Sequence, residues 1–321
     1  METSLRPKEM LNWGTLGSVR PFPEFTAEKD VVEFQDALEK KDIQTVLRVL
    51  TGRSNAQRQT LAHTYQTKTQ QDLNSILKKV LSRREDVETL VLSLMMKTEG
   101  LEAQRLRLAM KGLGTDEETL LEILCVRTPL QLSKIKTVYN EEFKRDLESD
   151  LISETSGDFT KLLLALLKKA YLHGNLEQDV TVLRMEMLSK KADATQWIRI
   201  FTSRAPAHLR KVLIELEVEQ GRSVADIIDT RFGGIFAADF RLGLHTLVQC
   251  IENPYLYLAQ RIQKMNVSVL LGVMVSHAEE DLLAVRTAFK RQTGTSLYTT
   301  LQERFKGDLQ QGLLALCRSE D

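Results

Sequence analysis

Met110-Lys111-Gly112-Leu113-Gly114-Thr115 lies between two helix-forming stretches, and Glu154 follows Gly112 by 42 residues inside a unit that the chain repeats four times. Laid 150 positions apart, Asp146-Leu147 through Asp158-Phe159 and Ser296-Leu297 through Asp308-Leu309 show the same landmarks in the same order. Each has Ser or Asp before Leu, then Gly-Asp, then a leucine-rich run ending near Leu167 or Cys317. A basic residue followed by Ser, Thr or Ala recurs at Arg53-Ser54, Arg127-Thr128, Arg204-Ala205 and His277-Ala278, at spacings of 74, 77 and 73 residues. A fixed period of this length marks an array of like units. The chain divides into a tail over 1–25, repeats over 26–97, 98–168, 181–253 and 254–321, and a linker over 169–180 that carries His173-Gly174-Asn175.

Six prolines in 321 residues, with long stretches of Leu, Lys, Glu and Gln, favour helix throughout, and no strand pattern competes. The fold class is therefore all-α. In the second repeat, Thr115 with Glu118 has the form of a capping box, and so does Thr128-Pro129-Leu130-Gln131, with proline at the first helical position. Phe143, Leu147 and Leu151, then Phe159, Leu162, Leu163 and Leu166, follow the spacing of one buried helix face. Breaks at 111–115, near Arg127, near Asn140 and at Ser156-Gly157 predict about five helices per repeat.

Lys+Arg and Asp+Glu both number 44, so no net basic field exists to hold a phosphate backbone, and nucleic acid is excluded as the main partner. No apolar run approaches the roughly eighteen residues of a spanning helix, and Glu2, Arg6, Lys8 and Glu9 leave no signal-peptide core. The chain reads as soluble and cytoplasmic. Cys125, Cys250 and Cys317 lack metal-ligand spacing and are expected as reduced core residues. None of the five histidines falls in a zinc motif, and no nucleophile elbow or phosphate loop is present, so an enzyme is not expected.

The chemistry that these residues can carry is calcium binding. The ion takes about six to eight oxygens at flexible geometry, and carbonyls serve as well as carboxylates. Gly112 and Gly114 permit a turn tight enough for the carbonyls of Met110, Gly112 and Gly114 to converge, with Glu154 adding two oxygens from another loop. An ion so held stays under-coordinated and net positive, leaving room for a lipid phosphate. Lys111 could add a headgroup contact, and Leu113 could dip into the interface. The alternative is that the two glycines only end one helix and begin the next.

The repeat, the Lys111-Gly112-Leu113-Gly114-Thr115 loop with a distant acid before Ser156-Gly157-Asp158, and Arg53-Ser54-Asn55-Ala56-Gln57-Arg58-Gln59 together resemble the annexins over residues 26 to 319. The resemblance implies a curved disc of four five-helix repeats that docks on acidic phospholipid reversibly through Ca2+, at the inner membrane surface. It implies Met110, Gly112 and Gly114 as carbonyl ligands, Glu154 as the bidentate acid, and Lys111, Leu113 and Thr115 beside the lipid. It also suggests the tail, with Met10, Leu11 and Trp13, as a ligand for a small calcium-binding protein dimer. Packing of the tail on its own core is favoured, because Pro7 and Gly14 allow barely two turns, and Trp13 could equally anchor at a lipid interface.

The other repeats depart from the pattern. The first has Ala37-Leu38-Glu39-Lys40-Lys41-Asp42, about two residues short, with Val80 or Ser82 at the acid position. The third has Ser189-Lys190-Lys191-Ala192-Asp193, with Ile235 near the expected acid. The fourth has a shortened loop at Lys264-Met265-Asn266 and Arg304 in place of the acid. One intact site is expected; the alternative is a calcium-insensitive scaffold for membranes or proteins. Basic pairs at 40–41, 78–79, 83–84, 168–169 and 190–191 read first as solvated surface. If the loops at 40–41 and 190–191 face a membrane, each lysine there is worth about 1 kcal/mol toward anionic lipid without metal. Glu122 and Arg127 read as a buried structural ion pair.

Overall fold

The computed structural model describes residues 16–112, 114–234 and 237–318. Among these residues there are α-helices and no strand, and the helices fall into four sets of five. The first repeat holds α1 (Ala27–Lys40), α2 (Ile43–Thr51), α3 (Asn55–Thr69), α4 (Leu73–Leu81) and α5 (Glu85–Met95). The second holds α6 (Thr98–Ala109), α7 (Glu117–Val126), α8 (Pro129–Phe143), α9 (Leu147–Glu154) and α10 (Gly157–Leu167). The third holds α11 (Leu176–Leu188), α12 (Ala194–Ser203), α13 (Pro206–Gln220), α14 (Val224–Arg231) and α15 (Ala238–Glu252). The fourth holds α16 (Pro254–Gln263), α17 (Val267–His277), α18 (Leu282–Thr293), α19 (Leu297–Arg304) and α20 (Gly307–Cys317). No described helix is long and apolar enough to cross a membrane. Met10, Leu11, Trp13, Leu113 and Ile235, each singled out in the sequence, lie outside the described residues.

A polar cap starts α8 where the sequence places it. Thr128 and Gln131 close a full capping box ahead of Pro129, and Ser54 with Gln57 does the same in the first repeat. Asn175 accepts from Gln178 N, so α11 begins at Leu176, inside the stretch read as linker. The expected break near Asn140 falls later: α8 runs to Phe143 and ends on Lys144 in the left-handed region, while Asn140 Nδ2 donates to Arg145 O.

Two compact units emerge, one from the first and fourth repeats and one spanning residues 102–257. In the first unit α20 packs against α2, α5 and α17. Gly312 permits the approach, since a Cβ there would lie 2.5 Å from Leu90 Cδ2. The segment before α1 is stitched into this unit: Leu283 N donates to Leu16 O at 2.8 Å and Val19 N to Ala278 O at 2.9 Å. Phe22 exchanges two hydrogen bonds with the Gln57 side chain, and the Arg53 guanidinium sits 4.0 Å above its ring. Arg318 Nε reaches Ser18 O at 3.1 Å. In the second unit α10 is the central helix, packed on α7, α12 and α15, and presents Phe159, Leu162, Leu163 and Leu166 to the core.

The recurring basic landmark has a structural cause. Arg53, Arg127 and Arg204 each reach back to a buried carboxylate on the first helix of their own repeat. Arg53 Nε donates to Asp30 Oδ2 at 2.7 Å, Arg127 Nε to Glu102 Oε1 at 2.9 Å and Arg204 Nε to Asp179 Oδ2 at 2.7 Å. In the fourth repeat His277 Nδ1 bonds instead to Asp281 Oδ1 at 2.6 Å, one turn downstream. In the second repeat Arg105 adds a second base, donating to Glu102 Oε2 at 2.9 Å and Glu122 Oε1 at 2.6 Å. The polar pair read as Glu122 and Arg127 is thus part of a buried network with Glu102 and Arg105. The three cysteines are buried and unpaired with one another by disulfides. Lys169 corrects its reading as surface: it is buried, donates to the carbonyls of Leu124 and Cys125, and burial lowers its pKa to about 8.

Candidate metal centre

The segment between α6 and α7 spans residues 110–116 and is closed by Asp116 N donating to Ala109 O at 2.8 Å. Gly112 and Gly114 have φ of 110° and 84°, backbone that other residues rarely adopt, so both glycines are required by conformation. The helix cap is Asp116 and not Thr115: Asp116 Oδ1 accepts from Thr119 N at 3.0 Å and Oδ2 from Thr119 Oγ1 at 2.8 Å. A carboxylate one residue nearer the helix takes the capping place from the hydroxyl. Asp116→Ala is expected to cost about 1 kcal/mol, read as a lower denaturation midpoint; an unchanged midpoint would show that the cap contributes nothing.

Released from capping, Thr115 Oγ1 donates across the site to Glu154 O at 3.1 Å. This bond ties the glycine loop to the end of α9. Glu154 is exposed, and among the described residues its carboxylate accepts no hydrogen bond and makes no ion pair. Arg145, whose pKa is raised chiefly by its bonds to and charge from Asp150, also feels Glu154 more weakly. Met110 is buried, whereas Lys111, Gly112 and Gly114 are exposed. A glycine loop that opens to solvent, tied to the main-chain oxygen of a residue whose carboxylate is unengaged, offers oxygen donors of the kind an open calcium site uses.

The same construction can be followed through the other repeats by counting from the cap of each fourth helix. Glu154 is the last residue of α9, eight after the capping Asp146. The corresponding positions after Asp72, Ser223 and Ser296 are Val80, Arg231 and Arg304. The acid position of the third repeat is therefore Arg231, four residues before the expected Ile235. The loops shrink in parallel. Asp42 N closes on Ala37 O at 2.8 Å, two residues nearer in sequence than Asp116 on Ala109, and only Lys41 separates α1 from its cap. In the fourth repeat Lys264 and Met265 alone stand between α16 and the cap Asn266.

The third repeat keeps a longer loop, residues 189–192, ahead of the cap Asp193. Its interior is filled by Arg231. The guanidinium donates from Nη1 to Ser189 O at 2.9 Å and from Nη2 to Glu186 O at 2.8 Å and Lys191 O at 2.6 Å. Arg231 Nε donates to Glu186 Oε1 at 2.9 Å. Glu186 is itself fixed, accepting from Asp193 N at 2.9 Å and from the buried Trp197 Nε1 at 2.6 Å. Ser189 and Lys191 stand four and two residues before their cap, as Gly112 and Gly114 stand before Asp116. A signal for Arg231 was available: the landmark spacing of 77 residues carries Glu154 onto it.

The family profile described as Annexin matches residues 29–94, 101–166 and 256–316. The chain is 36% identical to annexin A9 of Bos taurus over 323 residues, covering 96% of this chain and 92% of that one. The chain belongs to the annexin family. Its fold matches the structure named annexin III with a TM-score of 0.91 at 31% identity, covering 97% of this chain and 99% of that one. Chicken annexin V in complex with Zn2+ matches with a TM-score of 0.86 at 34% identity, covering 95% and 99%. Annexins in general bind phospholipid membranes with calcium and are not enzymes. Within this annexin the fourth helices carry Val80, Glu154, Arg231 and Arg304 at the matching place.

Proposed function

We propose that this annexin docks peripherally on acidic phospholipid, at the inner membrane surface, through a single calcium ion in the second repeat. The main-chain oxygens of Met110, Gly112 and Gly114 and the carboxylate of Glu154 would hold the ion, and lipid phosphate or water would complete its shell. Lys111 would lie beside the headgroups and Leu113 at the interface. Thr115 would also lie beside the lipid, and its hydroxyl braces the loop against Glu154 O. The observation that carries this reading is the unengaged carboxylate of Glu154, a residue whose main-chain oxygen that brace ties to the glycine loop, while Val80, Arg231 and Arg304 stand at the matching places.

A site with one carboxylate belongs at the weak end of calcium affinities, on the order of 0.1–1 mM before lipid contributes. A single site also forgoes the avidity that several sites on one surface would supply. Sedimentation with phosphatidylserine–phosphatidylcholine vesicles is therefore expected to show an increment on adding calcium that chelator reverses. Titration calorimetry with vesicles present is expected to count one calcium per chain. Sedimentation that calcium does not change would refute the reading.

A further inference from the structure

Arg231 does more than remove an acid. Its three carbonyl contacts converge on one planar cation, and Glu186 holds that cation from the buried side at ion-pair distance. A guanidinium cannot lose its charge near neutral pH and is less strongly hydrated than an ammonium, so it can satisfy converging carbonyls permanently. The third loop is thus ordered by a covalently attached cation, with its carbonyls already engaged and a fixed positive charge opposing entry of a second one.

The last turn of α11 and the loop that follows it combine exposed apolar side chains with lysines. Leu188 and Met185 are 77% and 63% exposed, and Lys190 and Lys191 beside them are exposed as well. The loop also lies close to the second repeat's centre. α10, which follows the Glu154 turn, packs on α12, and Lys161 of α10, bonded chiefly to Asp158, feels the charge of Asp193. Two protruding apolar side chains flanked by lysines match the chemistry of an anionic bilayer, whose interface takes the apolar groups while its headgroups take the charge.

We propose that the third repeat is a metal-independent contact for anionic phospholipid: Arg231 shapes the loop from within, and Lys190, Lys191, Leu188 and Met185 meet the bilayer. This inference rests on the reading that the neighbouring Glu154 centre faces the membrane. It gives the protein two modes of attachment, a weak one always present and a stronger one added by calcium.

Vesicle sedimentation in chelator tests it. Wild-type protein is expected to leave a fraction bound to phosphatidylserine–phosphatidylcholine vesicles in the absence of calcium, and none on pure phosphatidylcholine. The double variant K190Q/K191Q is expected to lower that partition about 25-fold, roughly 5-fold for each lysine. No chelator-resistant fraction, or one that the double variant leaves intact, would overturn the proposal. Failure of the Glu154 reading looks different, as a missing calcium increment in the same tubes while the chelator-resistant fraction persists. Arg231→Gln supplies a second readout. Tryptic cleavage after Lys190 and Lys191 is expected to quicken several-fold, with no protection by calcium. Protection of the wild-type loop by calcium at those bonds would mean that metal displaces the guanidinium, and would also overturn it.

Discussion

Glu102→Ala should destabilise the unit spanning residues 102–257 by about 3–5 kcal/mol, because it removes the carboxylate that two buried cations share. Glu102 is 1% exposed and receives Arg127 through Nε and Nη2 and Arg105 through Nη1. Burial works against the charge on Arg105, and Glu122 and Glu102 outweigh it, holding the pKa above its ordinary value. Removing Glu102 takes from Arg127 the carboxylate that receives its Nε and Nη2, and leaves Arg105 with Glu122. Trp197 is fully buried in the same unit, so its fluorescence during chemical denaturation reports the loss. Asp36→Ala breaks the exposed Lys40–Asp36 pair and is the control, expected to leave the midpoint unmoved. A loss below about 1 kcal/mol for Glu102→Ala would mean that solvent reaches these charges far more than their burial indicates.

The second large effect concerns Glu154→Gln. Amide and carboxylate have nearly the same shape, so the substitution removes one negative charge and the bidentate grip while sparing local packing. The Thr115 brace lands on the main-chain oxygen of residue 154 and so survives the change. Carbonyl dipoles alone would then face a divalent ion. The calcium-dependent sedimentation increment is expected to vanish at calcium concentrations that saturate the wild type, a loss of more than about tenfold in apparent affinity. Unaltered sedimentation of the variant at wild-type calcium would place the ion elsewhere. The chelator-resistant fraction offers an internal check that the variant still reaches vesicles.

Much of the fold was legible because it is written twice, once in helix caps and once in the repeat. Thr128 and Gln131 form a local signal that needs no tertiary context, and the five-helix count follows from such signals. The cap at Asp116 was missed because Thr115 and Asp116 are both capping residues, and only the fold shows that Thr115 is engaged across the loop. The glycines of the second loop were readable from their type alone. Arg231 was harder to see. Its meaning depends on carbonyls 40 to 45 residues away in sequence, a relation that no local pattern carries. The landmark arginines were visible as a period, yet their partners Asp30, Glu102 and Asp179 came from helix packing.

The first unit is built from the two ends of the chain, whereas the second is continuous in sequence. During synthesis the continuous unit can assemble as soon as residue 257 has emerged, while its counterpart must wait for the last helix and close a loop through the whole middle of the protein. Ser18 and Arg318 are already in hydrogen-bond contact, so a short peptide joining them, with new termini opened at 169–175, would reverse that order. In such a permutant the fourth and first repeats would become neighbours on the ribosome, and the half that carries Glu154 would be the one obliged to wait.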